Sequence, residues 1–314
     1  MNRGVPINSI NFTKMHGAGN DFIVIDNRSG LPVKNYPEFA RKICERKFSI
    51  GADGLLLVEH SARADFKMVY YNSDGSRADF CGNGARCIAY YCFIKKIASR
   101  DMKFETDAGI VNAKVLDKKV NPAPRSYGLN IVNEGRRVKL QMPEPRDIRL
   151  DFNLKVIGRE LKASFINTGV PHVVIFSSDV SRVDVQGLGR AIRNNPAFAP
   201  AGTNVNFVNV KNLNEIMLRT YERGVEGETY ACGTGAVATA VIAGIKNLVK
   251  SPVNCITTGL EKLKVYFKLT ETEKTKDLIN PVCDVYLEGR VTVSFEGGFE
   301  SFPLCKRGTK GDLN

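Results

Sequence analysis

Residues 79–91 read DFCGNGARCIAYY, and residues 230–241 read YACGTGAVATAV. Each stretch sets a cysteine, Cys81 or Cys232, at the mouth of a glycine-rich turn, and each turn runs into a segment of small and apolar residues. Glycines at 82, 84, 233 and 235 let a backbone come close to a ligand, and the apolar run behind them predicts a buried helix. One such thiol is common. Two in matching settings, half a chain apart, predict a chain built twice over that carries a pair of sulfurs to one cleft.

The flanking sequence repeats in the same order on both sides. HGAGNDFIVID (16–26), GADGLLLV (51–58) and KMVYYNSDG (67–75) lead to Cys81; NTGVPHVVIFS (167–177), GTNVNFVNV (202–210) and IMLRTYERG (216–224) lead to Cys232. In each set a Gly loop precedes a β-rich run, a second loop and strand follow, and a third strand feeds the thiol turn. The fold class expected is α/β (α+β mixed): two pseudo-symmetric domains, each a curved sheet around a central helix, with the site in the cleft between them. The segment 118–137, with NPAPRSYG at its centre, predicts an exposed connection, which puts the crossing near residue 137. An N-terminal domain of 1–137 plus about 285–314 would carry Cys81, and a C-terminal domain of 138–284 would carry Cys232. VYLEGRVTVSFEGGF (285–299) is the strand expected to return to the first sheet, TETEKTKD (270–277) is a surface loop, and KRGTKGDLN (306–314) is a frayed tail.

Composition narrows the functional classes. The 314 residues are 43% hydrophobic and 25% charged, which is a soluble globular profile with room for two domains. The opening MNRGVPINSINF lacks the apolar run of a signal peptide, and the apolar stretch around Ala236–Ile245 is far shorter than the ~20 residues of a bilayer span. A cytoplasmic protein with no membrane partner is expected. The eight cysteines form no CxxC pair and the three histidines lie far apart, so no zinc site or other metal is expected and most thiols are core residues. The net charge of +12 is dispersed in pairs such as Lys95-Lys96 and Arg136-Arg137 with acids between them, without a basic stripe or interleaved aromatics, and this argues against a nucleic-acid partner. No P-loop or dinucleotide fingerprint occurs.

A helix start presents unpaired backbone N–H groups and the positive end of the macrodipole, which bind a carboxylate and favour a thiolate. An amino acid carboxylate held between two such starts would be stabilised as its α-carbon loses a proton. Inversion needs the proton to leave one face and return on the other, hence two opposed acid–base groups. The plain alternative for each cysteine alone is a small residue at a helix start in the core.

KMHGAGNDFIVID (14–26), NSDGSRADFCGNGARC (72–87), GTNVNFV (202–208) and YERGVEGETYACGTGA (221–236) together resemble the diaminopimelate epimerases, amino acid epimerases that work without pyridoxal phosphate or another cofactor. The resemblance runs over most of the chain, through FEGGF. It implies an isomerase that interconverts L,L- and meso-diaminopimelate for lysine and peptidoglycan synthesis. It further implies that Cys81 and Cys232 are the base and acid, and that backbone N–H groups of Gly82, Asn83, Gly233 and Thr234 hold the reacting carboxylate. Asn20, Asn72, Asn204, Glu222 and Arg223 would fix the amino and distal groups. Their chemistry suits a substrate with a carboxylate and an ammonium at each end: Arg223 can clamp a carboxylate, Glu222 can take an ammonium, and the asparagines can do either. Strand-end polarity and turn preference are the alternative readings of these residues.

Two positions depart from the family pattern. Val170 precedes Pro171-His172 where members commonly carry Asn, removing a polar contact to the distal end, and Gly54 follows Asp53 where some members have Gln. His16 and His172 flank Gly/Pro loops near the cleft without a neighbouring nucleophile, which suits supporting hydrogen bonds better than proton transfer; His60 is expected at the surface. A racemase of another amino acid and a non-catalytic amino acid binding protein remain as alternatives, and a homodimer is left open.

Overall fold

The computed structural model describes residues 9–116, 136–270 and 281–300. The core of the predicted connection, most of the 270–277 run and the tail lie outside the described residues. The first half runs β1 (Ser9–Gly17), β2 (Asn20–Asp26), α1 (Tyr36–Cys44), β3 (Gly54–Glu59), β4 (Phe66–Asn72), β5 (Arg77–Ala78), α2 (Gly82–Ile94), β6 (Asp101–Thr106), β7 (Gly109–Val115) and β8 (Arg136–Gln141). After β9 (Arg146–Val156) the same series returns: β10 (Arg159–Asn167), β11 (Pro171–Phe176), α3 (Val185–Arg193), β12 (Asn204–Asn212), β13 (Glu215–Glu222), β14 (Gly227–Thr229), α4 (Gly233–Ile245), β15 (Val253–Ile256), β16 (Lys262–Leu269) and β17 (Val282–Glu300).

Pairing repeats with the series. β1–β2, β3–β4 and β6–β7 are antiparallel while β2–β3 and β4–β6 are parallel. The second half has antiparallel β10–β11, β12–β13 and β15–β16 with parallel β11–β12 and β13–β15. β8 and β17 hold equivalent places and pair with each other antiparallel, from Tyr286 opposite Gln141 to Val291 opposite Arg136. Beyond that pairing the far part of β17 continues onto β1, closing a ring of strands around α2. In the second half β16 pairs with the near part of β17 while β9, which follows β8, lies on β10. Each half thus lends its terminal strand to the other.

The helices sit inside these rings. Asn83 through Cys92 of α2 and Gly235 through Gly244 of α4 are all buried, which explains why neither shows the one-sided pattern of a surface helix. Small residues let α4 lie close to its strands; Gly244 faces Phe267 at a distance that a Cβ would not permit. One apolar core runs through both rings and includes residues of both helices. Two further clusters lie outside the rings, with Ala40 and Ile43 of α1 in one and Val185 and Ile192 of α3 in the other. Burying one side chain of this kind contributes about 1.5–3 kcal/mol, so these two outer clusters hold α1 and α3 on the outer faces of the strands.

Candidate active site

Cys81 and Cys232 are the N-caps of α2 and α4. Both are in extended backbone conformation, at φ −142°, ψ 116° and φ −112°, ψ 114°, and each sulfur accepts the N–H three residues on: Gly84 at 3.5 Å and Gly235 at 3.4 Å. A sulfur here takes the part that a Ser or Asp oxygen plays at an ordinary helix start. Gly82 and Asn83 are the first residues of α2, and Gly233 and Thr234 the first of α4, so their N–H groups are among those without a partner inside the helix. The Thr234 hydroxyl lies 3.4 Å from the Cys232 sulfur.

Helix starts alone predict acidic thiols, but the structure reverses that direction. Burial pushes the Cys81 thiol above its ordinary value against the opposing N–H groups of Gly84 and Asn83 and the positive charge of Arg86, and Glu222 adds to the rise. At Cys232 burial again leads, followed by the negative charge of Glu222, and the thiol is raised further. Glu222 is itself raised by burial, against hydrogen bonds from Thr229 at 2.7 Å and from the Cys232 thiol. The carboxylate therefore acts on both thiols, and more strongly on Cys232.

Equivalent strands place the remaining candidates. Phe22, Gly54 and Asn72 stand side by side across β2, β3 and β4; His172 and Asn204 do so across β11 and β12, and Glu222 ends β13 as Asn72 ends β4. Asn72 bonds to the Ser76 hydroxyl at 2.9 Å. Asn204 spans two elements, donating to the Pro171 carbonyl at 3.0 Å and accepting the Arg223 N–H at 2.9 Å, while the Arg223 guanidinium donates to the Ala201 carbonyl at 3.1 Å. Asn83 donates to Asn20, which donates to Asp53 at 3.2 Å. Asp53 and Asp21 share Arg46, and Asp21 also meets Lys14 at 2.8 Å; these cations outweigh burial and hold the Asp21 carboxyl at about 2. His172 is fully buried, and burial with the nearby Arg223 lowers it to about 3, so its ring is neutral. His16 and His60 are exposed.

Arg86 and Asn206 escaped the sequence reading. Asn206 is fully buried on β12; its amide donates to the Val173 carbonyl and His172 Nδ1, both at 3.0 Å, and its oxygen accepts the Thr220 hydroxyl at 3.0 Å. Because the carbonyl can only accept, the amide orientation is set, Nδ1 must accept, and the ring proton sits on Nε2. Among the described residues no group of His, Cys, Asp and Glu could hold a metal ion, and no helix is long and apolar enough to cross a membrane.

Two rings of strands, each wound around a helix, place the chain in a fold class with known isomerases. A PhzF-family phenazine biosynthesis protein from Bacillus anthracis matches over 93% of this chain and 99% of its own, with a TM-score of 0.64 at 16% identity. A hydroxyproline epimerase from Agrobacterium vitis matches over 93% of both chains, with a TM-score of 0.62 at 14% identity. Within that class the chain belongs to the diaminopimelate epimerase family, whose model matches residues 12–133 and 164–273. It is 42% identical over 296 residues to the diaminopimelate epimerase of Aquifex aeolicus, covering 91% of this chain and 96% of the relative. Against the diaminopimelate epimerase of Archaeoglobus fulgidus it is 40% identical over 290 residues, covering 92% and 95%.

Proposed function

We propose that this chain is an isomerase that interconverts L,L- and meso-diaminopimelate without a cofactor, using Cys81 and Cys232 as the acid–base pair. One sulfur, as thiolate, takes the α-proton while the other, as thiol, delivers a proton to the opposite face; the two sulfurs end with exchanged protonation. The backbone N–H groups of Gly82, Asn83, Gly233 and Thr234 stabilise the carboxylate as charge builds on the α-carbon. Asn20, Asn72, Asn204, Glu222 and Arg223 bind the amino and distal groups, and His172 supports the site as a neutral ring. The observation that carries this reading is the duplicated arrangement itself, in which both sulfurs cap the central helices and one carboxylate, Glu222, acts on both. Environments that separate two titrating groups mark an acid and a base. Both thiols are raised by burial and Cys232 more strongly, so Cys81 is the more readily ionised of the pair.

The division into 1–137 plus about 285–314 and 138–284 is retained as the pair of units that close on substrate. A biosynthetic role in lysine and peptidoglycan formation, in the cytoplasm, follows from the substrate. The test is incubation with L,L-diaminopimelate in D2O. Wild-type protein should yield the meso isomer with solvent deuterium at the inverted carbon, and Cys81→Ala and Cys232→Ala should each lower kcat by about 10²–10⁴-fold with the fold intact. Full activity in either variant removes that cysteine from the mechanism. Binding without deuterium incorporation leaves an amino acid binding protein, and faster turnover of another amino acid, as Val170 would favour, changes the substrate.

A further inference from the structure

Arg86 lies in the second turn of α2 and is wholly buried. Its Nη2 donates to Asn83 Oδ1 at 2.6 Å, while Nε and Nη1 meet no hydrogen-bond partner among the described residues. A Cβ on Gly289 of β17 would stand 2.8 Å from Nε, and one on Gly233 would stand 4.0 Å from Nη1. The guanidinium therefore reaches from the Cys81 helix, past the strand both halves share, to the Cys232 turn. A buried cation with open donors is costly to keep, and an apolar side chain of similar size would fill the space at lower cost. Its retention points to use.

The hydrogen bonds show what the use is. Arg86 only donates, and Asp53, ion-paired with Arg46 at 2.8 Å, only accepts. Between them Arg86 donates to Asn83, Asn83 to Asn20, and Asn20 to Asp53. Either amide alone could turn over, but the two fixed ends allow one sense only. Each asparagine then spends one of its two N–H groups in the chain and keeps the second for a ligand's carboxylate. We propose that Arg86 is a positioning residue for the proton-transfer site: it fixes the donor sense of Asn83 and Asn20 and holds an uncompensated positive charge beneath the two thiol turns. The inference rests on the two-thiol reading above. That charge opposes the effect of burial at Cys81, and the half-buried Glu261 acts on it through space without an ion pair among the described residues.

The test separates charge from shape. Cys81 alkylation by iodoacetamide is followed by peptide mass spectrometry between pH 6 and 10 in wild type, Arg86→Gln and Arg86→Lys, alongside KM, kcat and Tm. Arg86→Gln keeps a donor for Asn83 and loses the charge; its Cys81 should alkylate about tenfold more slowly at neutral pH, one pH unit being tenfold in thiolate. Arg86→Lys should recover most of the alkylation rate while KM stays raised, because a single ammonium does not reproduce the planar fork. A folded Arg86→Gln protein that alkylates at the wild-type rate overturns the proposal, as does an Arg86→Lys protein slowed as much as Arg86→Gln. If Arg86→Gln does not fold, Arg86→Met takes its place in the same assay. A wild type that alkylates as expected yet never epimerises sinks the two-thiol reading and leaves the electrostatic role; an active wild type with alkylation unmoved by Arg86→Gln sinks only the present inference.

Discussion

Asn206→Leu offers the sharpest separation between a strand residue that merely fills space and one that organises the site. The side chain is fully buried and makes three hydrogen bonds, to the Val173 carbonyl, His172 Nδ1 and the Thr220 hydroxyl. Leucine keeps the branching at Cγ and offers no polar atom, so three buried groups lose their partner at once. A buried polar group left unpaired costs roughly 1–3 kcal/mol, and the apolar substitute returns about 1–2 kcal/mol of transfer free energy. Over three groups, less that return, the net expected loss is about 1–8 kcal/mol, a large share of the roughly 5–15 kcal/mol that holds a domain together. The Oδ1 also stands 2.4 Å from where a Gly235 Cβ would lie, so the bulkier leucine methyl presses on the turn of Cys232. Urea unfolding followed by circular dichroism measures the loss as a lowered midpoint at unchanged slope. Activity per folded molecule should fall as well, because His172 loses the donor that fixes its tautomer. A stability loss under about 1 kcal/mol with kcat unchanged would refute the argument that this amide is the common partner of His172, Thr220 and β11.

Gly289→Ala would put a Cβ 2.8 Å from both Arg86 Nε and Leu263 Cδ2; overpacking of this kind costs about 1–3 kcal/mol, and kcat/KM should fall about tenfold or more as the guanidinium is pushed off Asn83, whereas wild-type kinetics in steady-state assays would show that Arg86 tolerates displacement. His172 gives a pH signature: its folded value of about 3 lies below the ordinary 6.5, so the unfolded chain binds the proton first, and its contribution is whole above about pH 6.5 and declines as pH falls toward 3. The slope reaches about 1.4 kcal/mol per pH unit in that window; urea titrations at several pH values should show it in wild type and a flatter profile in His172→Gln, and equal slopes would mean that the ring is not held neutral by the fold.

The repeat was legible because backbone needs recur in composition. Gly loops, β-branched runs and the two CGxG turns stand in the same order twice, and the same strand pairings occur twice in the fold. The return of 285–299 to the first sheet was also legible, and the far part of β17 does pair with β1; the seat of β9 on β10 left no such trace, since β9 reads as an ordinary strand and its partner depends on three-dimensional closure. Asn206 was hidden for a related reason. In GTNVNFVNV the alternating asparagines suggest a solvated strand face, yet Asn204 and Asn206 face a buried network that strand period alone cannot distinguish from water. Arg86 was passed over because a lone arginine in a run of small and apolar residues carries no motif, and arginines are seldom fully buried. The acidity expected of the thiols failed on magnitude: a helix start favours thiolate by a small amount, and desolvation with a carboxylate nearby outweighs it.

What the duplication supplies is geometry, and what its imperfections supply is direction. A perfectly symmetric pair of thiols would have no reason to rest with one protonated and the other not. The equivalent strand ends carry Asn72 in one half and Glu222 in the other, so a neutral amide in the first half stands where the second has a carboxylate. The fifth residue of each central helix is Arg86 in α2 and Val237 in α4, which adds a buried cation on the Cys81 side alone. Both differences separate the thiols in the same sense: Arg86 opposes the rise at Cys81, and Glu222, which raises both, raises Cys232 more strongly. Exchanging them, with Glu222→Gln to remove the anion and Arg86→Gln to remove the cation, should bring the two thiols toward equal reactivity while leaving the paired helix starts in place. The chemistry of inversion thus depends on the repeat for its two faces, and on two substitutions within it for its resting proton.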